Sequence, residues 1–590
     1  MGCNDKIEEH CPKTKVEKVQ CSIFPRYQDI ECRFLILQPM QVIKNITESF
    51  NSRGKTLKYL GLFTIFFWVT FLIYLPALHS KFVFDFINLV FDIQNRPGLT
   101  EFSKGIAFDF VARLVFQTWL QWFGFNAWAW HFLQCFLHSV NAVLLYALLG
   151  FILNHFKYAG FNRIALLSAF CFLLSPYHTE PLVWGGDLNY LLVTSFILTH
   201  LLAFVFFMQN RKKRYLLMAV LALAAGFFTH ELGWFMLPAD FILVIALAPS
   251  FSAIFSKSNI SYYAISLGII ILYFVNKAFS GQLLGHYGSA VHLRFHLTEI
   301  IPAFYKYLVK IIFLGGFLPT TFLDKLYGWM GTTAGVYALV ITTVIVAFLL
   351  FKYLKKSPGL KAPVCFFLLF TLFVFPVLNL YFPYWIKIHG DRYCYITSAF
   401  LLATCITLLD AVRPVFSVAF SFLYLICSVF FLSYNIQSWH QAGDLSRKLE
   451  KDYRWQNAKH VYILNLPDNY RGAYMYRSLQ PSAFAASFIK YRTPAPDGNR
   501  ITEVLAYNLN LPTDSVNIQI TEKDKLAVTL SAWGIWWWRQ TMGASSYENN
   551  LVEVHPDELN HAYTVKFKQR QPGDVFLYCA NGHWHEVPGF

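Results

Sequence analysis

The chain has 590 residues, of which 56% are hydrophobic, 18% aromatic and only 14% charged. Soluble domains carry about 25% charged residues, and 60 Phe with 16 Trp are more than one aqueous core could hide, so a soluble protein, a disordered chain, a collagen and a coiled coil are excluded. The formal charge of +15 comes from 49 basic and 34 acidic residues; it fits the cytoplasmic loops of a polytopic membrane protein, and no run of interleaved basic and aromatic residues resembles a nucleic-acid footprint.

Residues 1–56 are polar and read as a cytoplasmic segment. Cys3, Cys11, Cys21 and Cys32 lie there, at spacings that match no zinc-ligand pattern. A disordered tail, or a chain whose start is Met40, is the simpler reading. No cleavable signal sequence is expected, because the first apolar run begins near Leu57 and is too long. Most of the remaining cysteines fall inside apolar runs, where they act as small hydrophobes.

From Leu57 onward, each crossing needs about 20 apolar residues. Runs near 57–78, 128–154, 164–184, 189–208, 215–230, 233–255, 262–281, 298–318, 333–352, 362–383, 394–411 and 413–434 qualify. Basic residues orient them. Arg53, Lys55 and Lys58, then Lys157 and Arg163, the block Arg211 to Arg214, and Lys257 all fall inside. The cluster Lys352, Lys355, Lys356 and Lys361 falls inside only if one run fails to cross. The segment 298–318, interrupted by Lys306 and Lys310 and broken by Gly and Pro, is that run. About eleven spans are therefore expected over 57–434. Residues 435–590 follow as an extracytoplasmic β-rich domain, with period-two text such as SVNIQITEKDKLAVTLS.

This orientation gathers titratable residues at one face. Asp85 and Asp92 lie in the first outer loop, and His131 opens the second span. His178, Glu180 and Asp187 occupy the next outer turn, His230 and Glu231 another, and His389, Asp391 and Arg392 a later one. Singly, each has a plain structural role; a loop residue such as Asp92 is usually solvated. His138 and Asn141, deep in the second span, read as interhelical hydrogen bonders. Convergence of charge at a membrane boundary is costly and marks a site.

Several blocks resemble a known family. WHFLQCFLHSVNAVLLY followed by SPYHTEPLVW is similar to the membrane domain of GT-C glycosyltransferases, nearest to the transmembrane and tetratricopeptide-repeat O-mannosyltransferases and their bacterial relatives. GFFTHELGWFMLPADFIL resembles that family's Ser-Lys-Glu turn, with Glu231 retained. FPVLNLYFPYWIKIHGDRYCYITS resembles its Pro-x-x-Asn and acidic-Arg-Tyr-x-Tyr segment. The blocks cover roughly 57–245 and 370–411. The departures are specific. The first-loop acidic pair falls at Asp85 and Phe86, so one carboxylate survives. The block at His178 begins with Ser175 instead of His and carries Asp187, Leu188 and Asn189 instead of a basic and an acidic residue. No tetratricopeptide periodicity follows. HVYILNLPDNYRGAYMYRS resembles bacterial members, pointing to a bacterial inner membrane.

The resemblance implies transfer of a sugar, mannose by analogy, from a polyprenyl-phosphate carrier to a hydroxyl of an unidentified protein or glycan acceptor on the outer side. A lipid phosphate leaves as an anion, so one carboxylate base suffices; Asp85 is the expected base, and direct attack inverts the anomeric carbon. Arg392 offers a permanently charged fork for the carrier phosphate, oriented or neutralised by Asp391. Lys306 and Lys310, four residues apart on one helical face, are further phosphate candidates or lipid-facing snorkels. His178, Glu180, Glu231 and the weaker His131 are expected at the sugar or acceptor pocket. A divalent metal on Asp85, Glu180 and His178 is conceivable, though no spacing demands it. Trp536 and Trp537, in SAWGIWWWRQ with Trp533 and Trp538, can stack on sugar, anchor at the membrane interface or pack in a core. The rival readings are a transporter or lipid flippase, which should carry internal repeats, and a GT-C scaffold without activity. Asn45 and Asn259 lie in glycosylation sequons, both on the cytoplasmic side of this topology.

Overall fold

The computed structural model describes residues 54–95, 109–247, 256–279, 296–354, 360–380, 391–478, 480–491, 495–531, 536–537, 546–557 and 561–590. Cys3, Cys11, Cys21, Cys32, Asn45 and His389 lie outside them. The fold is mostly helical, with strands confined to the C-terminal region.

The chain opens with α1 (Lys55–Tyr74), then two short helices in the first loop, α2 (Asp85–Asn95) and α3 (Phe110–Phe123), and a long α4 (Ala127–His155) capped by the Asn126 side chain. Next come α5 (Phe161–Leu173), α6 (Thr179–Val183), α7 (Leu188–Asn210), α8 (Lys213–Phe227) and α9 (Met236–Leu247). The remaining helices are α10 (Lys257–Phe279), α11 (Leu297–Ile312), α12 (Thr320–Gly331), α13 (Thr333–Leu354), α14 (Lys361–Val374), α15 (Tyr395–Val412) and α16 (Pro414–Asp452).

Among the described residues, seven stretches are long and apolar enough to cross a membrane: Thr56–Ser80, Ala127–His155, Gly185–Asn210, Asn259–Asn276, Lys361–Leu378, Asp391–Val412 and Pro414–Asp452. An eighth is formed if Thr320–Gly331 and Thr333–Leu349, bent by 80°, act as one. Sequence reading expects about eleven. The difference lies in where apolar runs break. The run at 164–184 stops as a helix at Leu173, because Pro176 opens a 3-10 turn and SPYHTEPLVW folds back into the bundle. The run at 215–230 forms α8, of 15 residues, shorter than a straight crossing requires, and the run at 233–255 is described only as far as Leu247, where α9 has 12 residues. The run at 298–318, not counted among the eleven, ends as a helix at Ile312, with Leu314 in the left-handed region.

Packing sorts the helices. α15 is central, with 72% of its apolar window buried, and packs on α14, α5 and α16; α4 packs on α1, α5 and α7. Peripheral α13 turns Ile341, Val344, Ile345 and Phe348 outward. A continuous apolar surface of this kind is tolerable against lipid and not against water. His138 and Asn141 are hydrogen-bonded between helices, as the sequence suggested. Both reach the Tyr395 hydroxyl, at 2.6 and 3.2 Å, while His138 also meets Leu173 O and Asn141 donates to Leu191 O, each at 3.0 Å.

α16 continues to Asp452 rather than ending near 434. Its second half buries Trp439, Ala442, Leu445 and Leu449 against the C-terminal region, where Trp584 Nε1 donates to Leu449 O and the Tyr476 hydroxyl to Ser446 O. Three sheets follow. β1 (His460–Ile463) lies parallel to both β12 (Asp574–Ala580) and β4 (Ile501–Glu503), in the order β13-β12-β1-β4, with β13 at His583–Glu586. β2 (Leu466–Tyr470) pairs with β3 (Ala473–Tyr474) and, in parallel, with β5 (Ala506–Leu509); β8 (Trp536–Trp537) pairs on the far side of β5. The third sheet is antiparallel throughout, in the order β6 (Val516–Glu522), β7 (Lys525–Leu530), β11 (Ala562–Phe567), β10 (Val552–Asp557) and β9 (Tyr547–Glu548), and β6 and β7 hold the period-two text.

Candidate functional site

The 3-10 turn Leu75–Ser80 ends α1 and delivers Lys81 into the bundle, 1% exposed. Lys81 Nζ donates to Gln134 Oε1 (2.7 Å) and Leu182 O (3.0 Å), and its backbone carbonyl accepts from Gly185 N (3.0 Å). Gln134 Nε2 in turn donates to Pro181 O and Trp184 O, both at 3.0 Å, and Trp184 Nε1 to Val83 O at 2.9 Å. The start of the first loop is thus laced to the 181–185 turn. Gly185 lies at the close approach: a Cβ there would stand 2.6 Å from the Phe86 ring.

Beyond this lacing, Phe84 adopts a left-handed φ of 47°, a conformation unfavourable for a bulky side chain. Its ring stacks on Trp184 at 5.6 Å, and Asp85 follows as the first residue of α2. A carboxylate at a helix N-terminus is stabilised by the exposed N–H groups and the macrodipole. Asp85 is partly exposed and accepts from Asn88 Nδ2 at 3.4 Å. Phe86, where the family's second carboxylate would stand, is fully buried among Phe82, Phe116, Phe125 and Trp130.

Facing Asp85 is a group of buried charges. The Arg392 backbone N–H donates to Glu180 Oε2 (2.9 Å), its Nη1 to Glu180 Oε1 (3.2 Å), and Nη1 stands 3.6 Å from Asp187 Oδ1. Glu180 is 0% and Asp187 3% exposed. Asp85 lies within electrostatic range of Asp187 and of Arg477. Asp187 Oδ2 is buried with no hydrogen-bond partner among the described residues.

Asp391 points elsewhere than sequence reading assumed. Adjacent residues of the Asp391–Cys394 turn diverge, so Asp391 pairs with Lys310 (2.7 Å) and leaves Arg392 to Glu180 and Asp187. Burial opposes charge on Lys310, yet Asp391 holds its pKa above the ordinary value. Lys306 lies over the Tyr327 ring of α12 (5.3 Å), apart from the Lys310–Asp391 pair.

The C-terminal region completes the cluster. The Tyr474 hydroxyl donates to Glu180 Oε1 (3.2 Å), and Arg477 lies over the Tyr474 and Phe84 rings at 5.0 and 5.4 Å while bonding both Asp468 oxygens at 2.8 and 2.7 Å. Ser478 Oγ donates to Asn88 Oδ1 on α2 at 2.8 Å. Burial and the nearby Glu180 raise the Tyr474 phenol well above its ordinary pKa, so it stays a donor. In the sequence this stretch stands out only by its likeness to bacterial members, and neither Tyr474 nor Arg477 is among the expected site residues. The YRGAYMYRS text, with an arginine among tyrosines, was the available signal.

Other expected residues lie apart from the charges. His131 is fully buried, with Nε2 3.0 Å from Phe71 O and its ring on Phe71. His178 faces away from its near neighbour Glu180, because residues two apart on a turn point to opposite sides. It meets Ser398 Oγ at 3.0 Å and packs on Phe172 and Tyr395. Asp85, Glu180 and His178 therefore do not assemble as metal ligands, and no group of three His, Cys, Asp or Glu among the described residues could hold a metal. Glu231 opens the 3-10 turn Glu231–Phe235 on a flank; the adjacent His230 ring packs on Tyr190, which also meets Tyr393. Asp92 is ion-paired with Arg113, which also holds Asp109. The side chains of Trp536 and Trp537 lie outside the described residues, as do Trp533 and Trp538.

The arrangement is a carboxylate-rich cluster at one end of a helical bundle, with Arg392, Lys310 and Arg477 each tied to acidic partners. No protein-family model matches the chain, and no curated protein matches it.

Proposed function

We propose that the protein is an integral-membrane glycosyltransferase of the GT-C type, moving a sugar, by analogy mannose, from a polyprenyl-phosphate carrier to a hydroxyl acceptor at the outer face of a bacterial inner membrane. The observation that carries this reading is Asp85. It is a partly exposed carboxylate behind a strained Phe84, facing the Glu180–Arg392–Asp187 group. In the proposed step, Asp85 takes the acceptor O–H proton while that oxygen bonds to the anomeric carbon from the face opposite the phosphate. The bond from the anomeric carbon to the phosphate oxygen breaks, the phosphate leaves with the electron pair, and the configuration inverts.

Arg392 and Lys310 lie near the developing phosphate charge in this reading, with their buried carboxylates keeping the site compact before the donor arrives. Asp187 Oδ2 offers an acceptor for a sugar hydroxyl. The cations are fully paired in this arrangement, so donor phosphate must share them with Glu180, Asp187 and Asp391.

The test is transfer of labelled sugar from synthetic polyprenyl-phosphate mannose and glucose to a membrane extract by the purified protein. Asp85→Asn is expected to lower transfer by about 10²–10⁴-fold while retaining the wild-type gel-filtration profile. Equal transfer by wild type and Asp85→Asn sinks the role given to Asp85. Movement of carrier lipid with no transfer by wild type sinks the enzyme reading itself.

A further inference from the structure

The end of the bundle opposite Asp85 holds a cavity of about 480 Å³, formed between α4, α7, α9, α10 and α14. His155, Arg211, Lys361 and Asn259 supply polar groups to its wall, and no Asp or Glu lines it among the described residues. Val205, Met208 and Leu247 make an apolar side continuous with these groups.

Arg211 is unusually determined for an arginine at a helix end. It closes α7 in the left-handed region, at φ 52°, where Gly or Asn meets less strain. Its backbone N–H bonds Phe207 O at 2.8 Å, its guanidinium lies 5.6 Å over the Phe207 ring, and Nη1 donates to the buried Asn259 at 2.5 Å. A cation held against the Phe207 ring and Asn259, in a wall whose described residues include no acid, is preorganised for an anion. Asn259, 1% exposed and engaged by Arg211, is thereby closed to glycosylation in this fold.

We propose that this cavity binds the headgroup of an anionic membrane phospholipid, its phosphate against Arg211 and Lys361 and its first acyl carbons along Val205, Met208 and Leu247. The apolar side selects a lipid over a free phosphate, which has no use for it. The cationic side selects an anionic over a zwitterionic lipid, whose ammonium would meet like charge. The site rests on the reading of the chain as membrane-spanning and is independent of the transfer chemistry.

Full-length protein in detergent is titrated with phosphatidylglycerol, phosphatidylcholine or inorganic phosphate, reading retained adducts by native mass spectrometry and the unfolding temperature. Phosphatidylglycerol is expected to remain bound and raise the unfolding temperature. The double variant Arg211→Gln, Lys361→Gln should bind it at least about tenfold more weakly. Because Arg211 also holds Asn259, Lys361→Gln alone is measured in parallel and should weaken binding in the same direction. Asp85→Asn should bind as wild type. The proposal is overturned by equal retention of phosphatidylcholine, by phosphatidylglycerol binding unchanged in both variants, or by inorganic phosphate reproducing the whole stabilisation, which would make the ligand a soluble anion.

Discussion

At the residue scale, the cluster is governed by what burial does to charge. Lys310 and Asp391 are ion-paired at 2.7 Å with the carboxylate fully buried. Removing one partner of such a pair strands the other, at a cost of about 3–5 kcal/mol. Lys310→Met should therefore destabilise strongly, and adding Asp391→Asn should recover most of the loss; a strictly additive double variant in thermal unfolding would count against the pairing. Lys81 is a different case. It has no carboxylate partner among its hydrogen bonds, and burial lowers its pKa from 10.5 to about 7. The unfolded chain then binds more protons than the folded one between those values. The penalty for burying the ammonium is present in full below about pH 7 and is relieved as pH rises toward 10.5. Wild type should gain on Lys81→Met by up to about 1.4 kcal/mol per pH unit in that window, and parallel stability–pH curves for the two proteins would refute this.

At the element scale, α2 is set by its contact with the 181–187 turn rather than by its own length. Gly185 N–H bonds Lys81 O, and a Cβ at Gly185 would meet the Phe86 ring at 2.6 Å and Lys81 O at 3.1 Å. Gly185→Ala must move a buried aromatic ring or backbone, costing about 1–3 kcal/mol, and it displaces the helix that presents Asp85. A fall in transfer with retained folding is expected, whereas the exposed Gly328→Ala, with nothing near its Cβ, should change neither. The same logic explains α16. Its membrane-crossing half reads clearly from hydropathy, but its continuation to Asp452 is held by docking of Trp439 and Leu449 and by the Glu450 bonds to Lys490 and Tyr491.

At the scale of the whole molecule, two ends of the bundle differ in chemistry. One gathers Asp85, Glu180, Asp187 and Asp391; the other carries the Arg163–Asp410 pair, Arg211 and Lys361. Basic residues resist translocation, so the second end is expected in the cytoplasm and the C-terminal sheets outside. Lys566 and Lys212 are both exposed. In intact cells an impermeant thiol reagent should label Lys566→Cys, and should reach Lys212→Cys only after permeabilisation. Labelling of both from one side would require a different topology and would remove the outer-face placement of the site.

Composition and apolar run length by themselves determined that this chain is a multi-pass, largely helical membrane protein with a strand-bearing C-terminal region, because covering apolar surface without water is a property of any such sequence. The charged residues of the cluster were also legible, since a carboxylate or arginine inside apolar text stands out. Their pairing was not: Asp391 choosing Lys310 over Arg392, His178 turning from Glu180, and Phe86 entering the core depend on the direction of each side chain on a short turn. The break inside 164–184 was likewise not legible, because hydropathy reads that apolar text straight through without seeing that the helix ends at Leu173 and that Pro176 folds the turn inward. The contribution of Tyr474 and Arg477 was hidden for the simplest reason. They lie nearly 300 residues from Glu180 along the chain, and only the docking of the C-terminal region against α16 brings them to it.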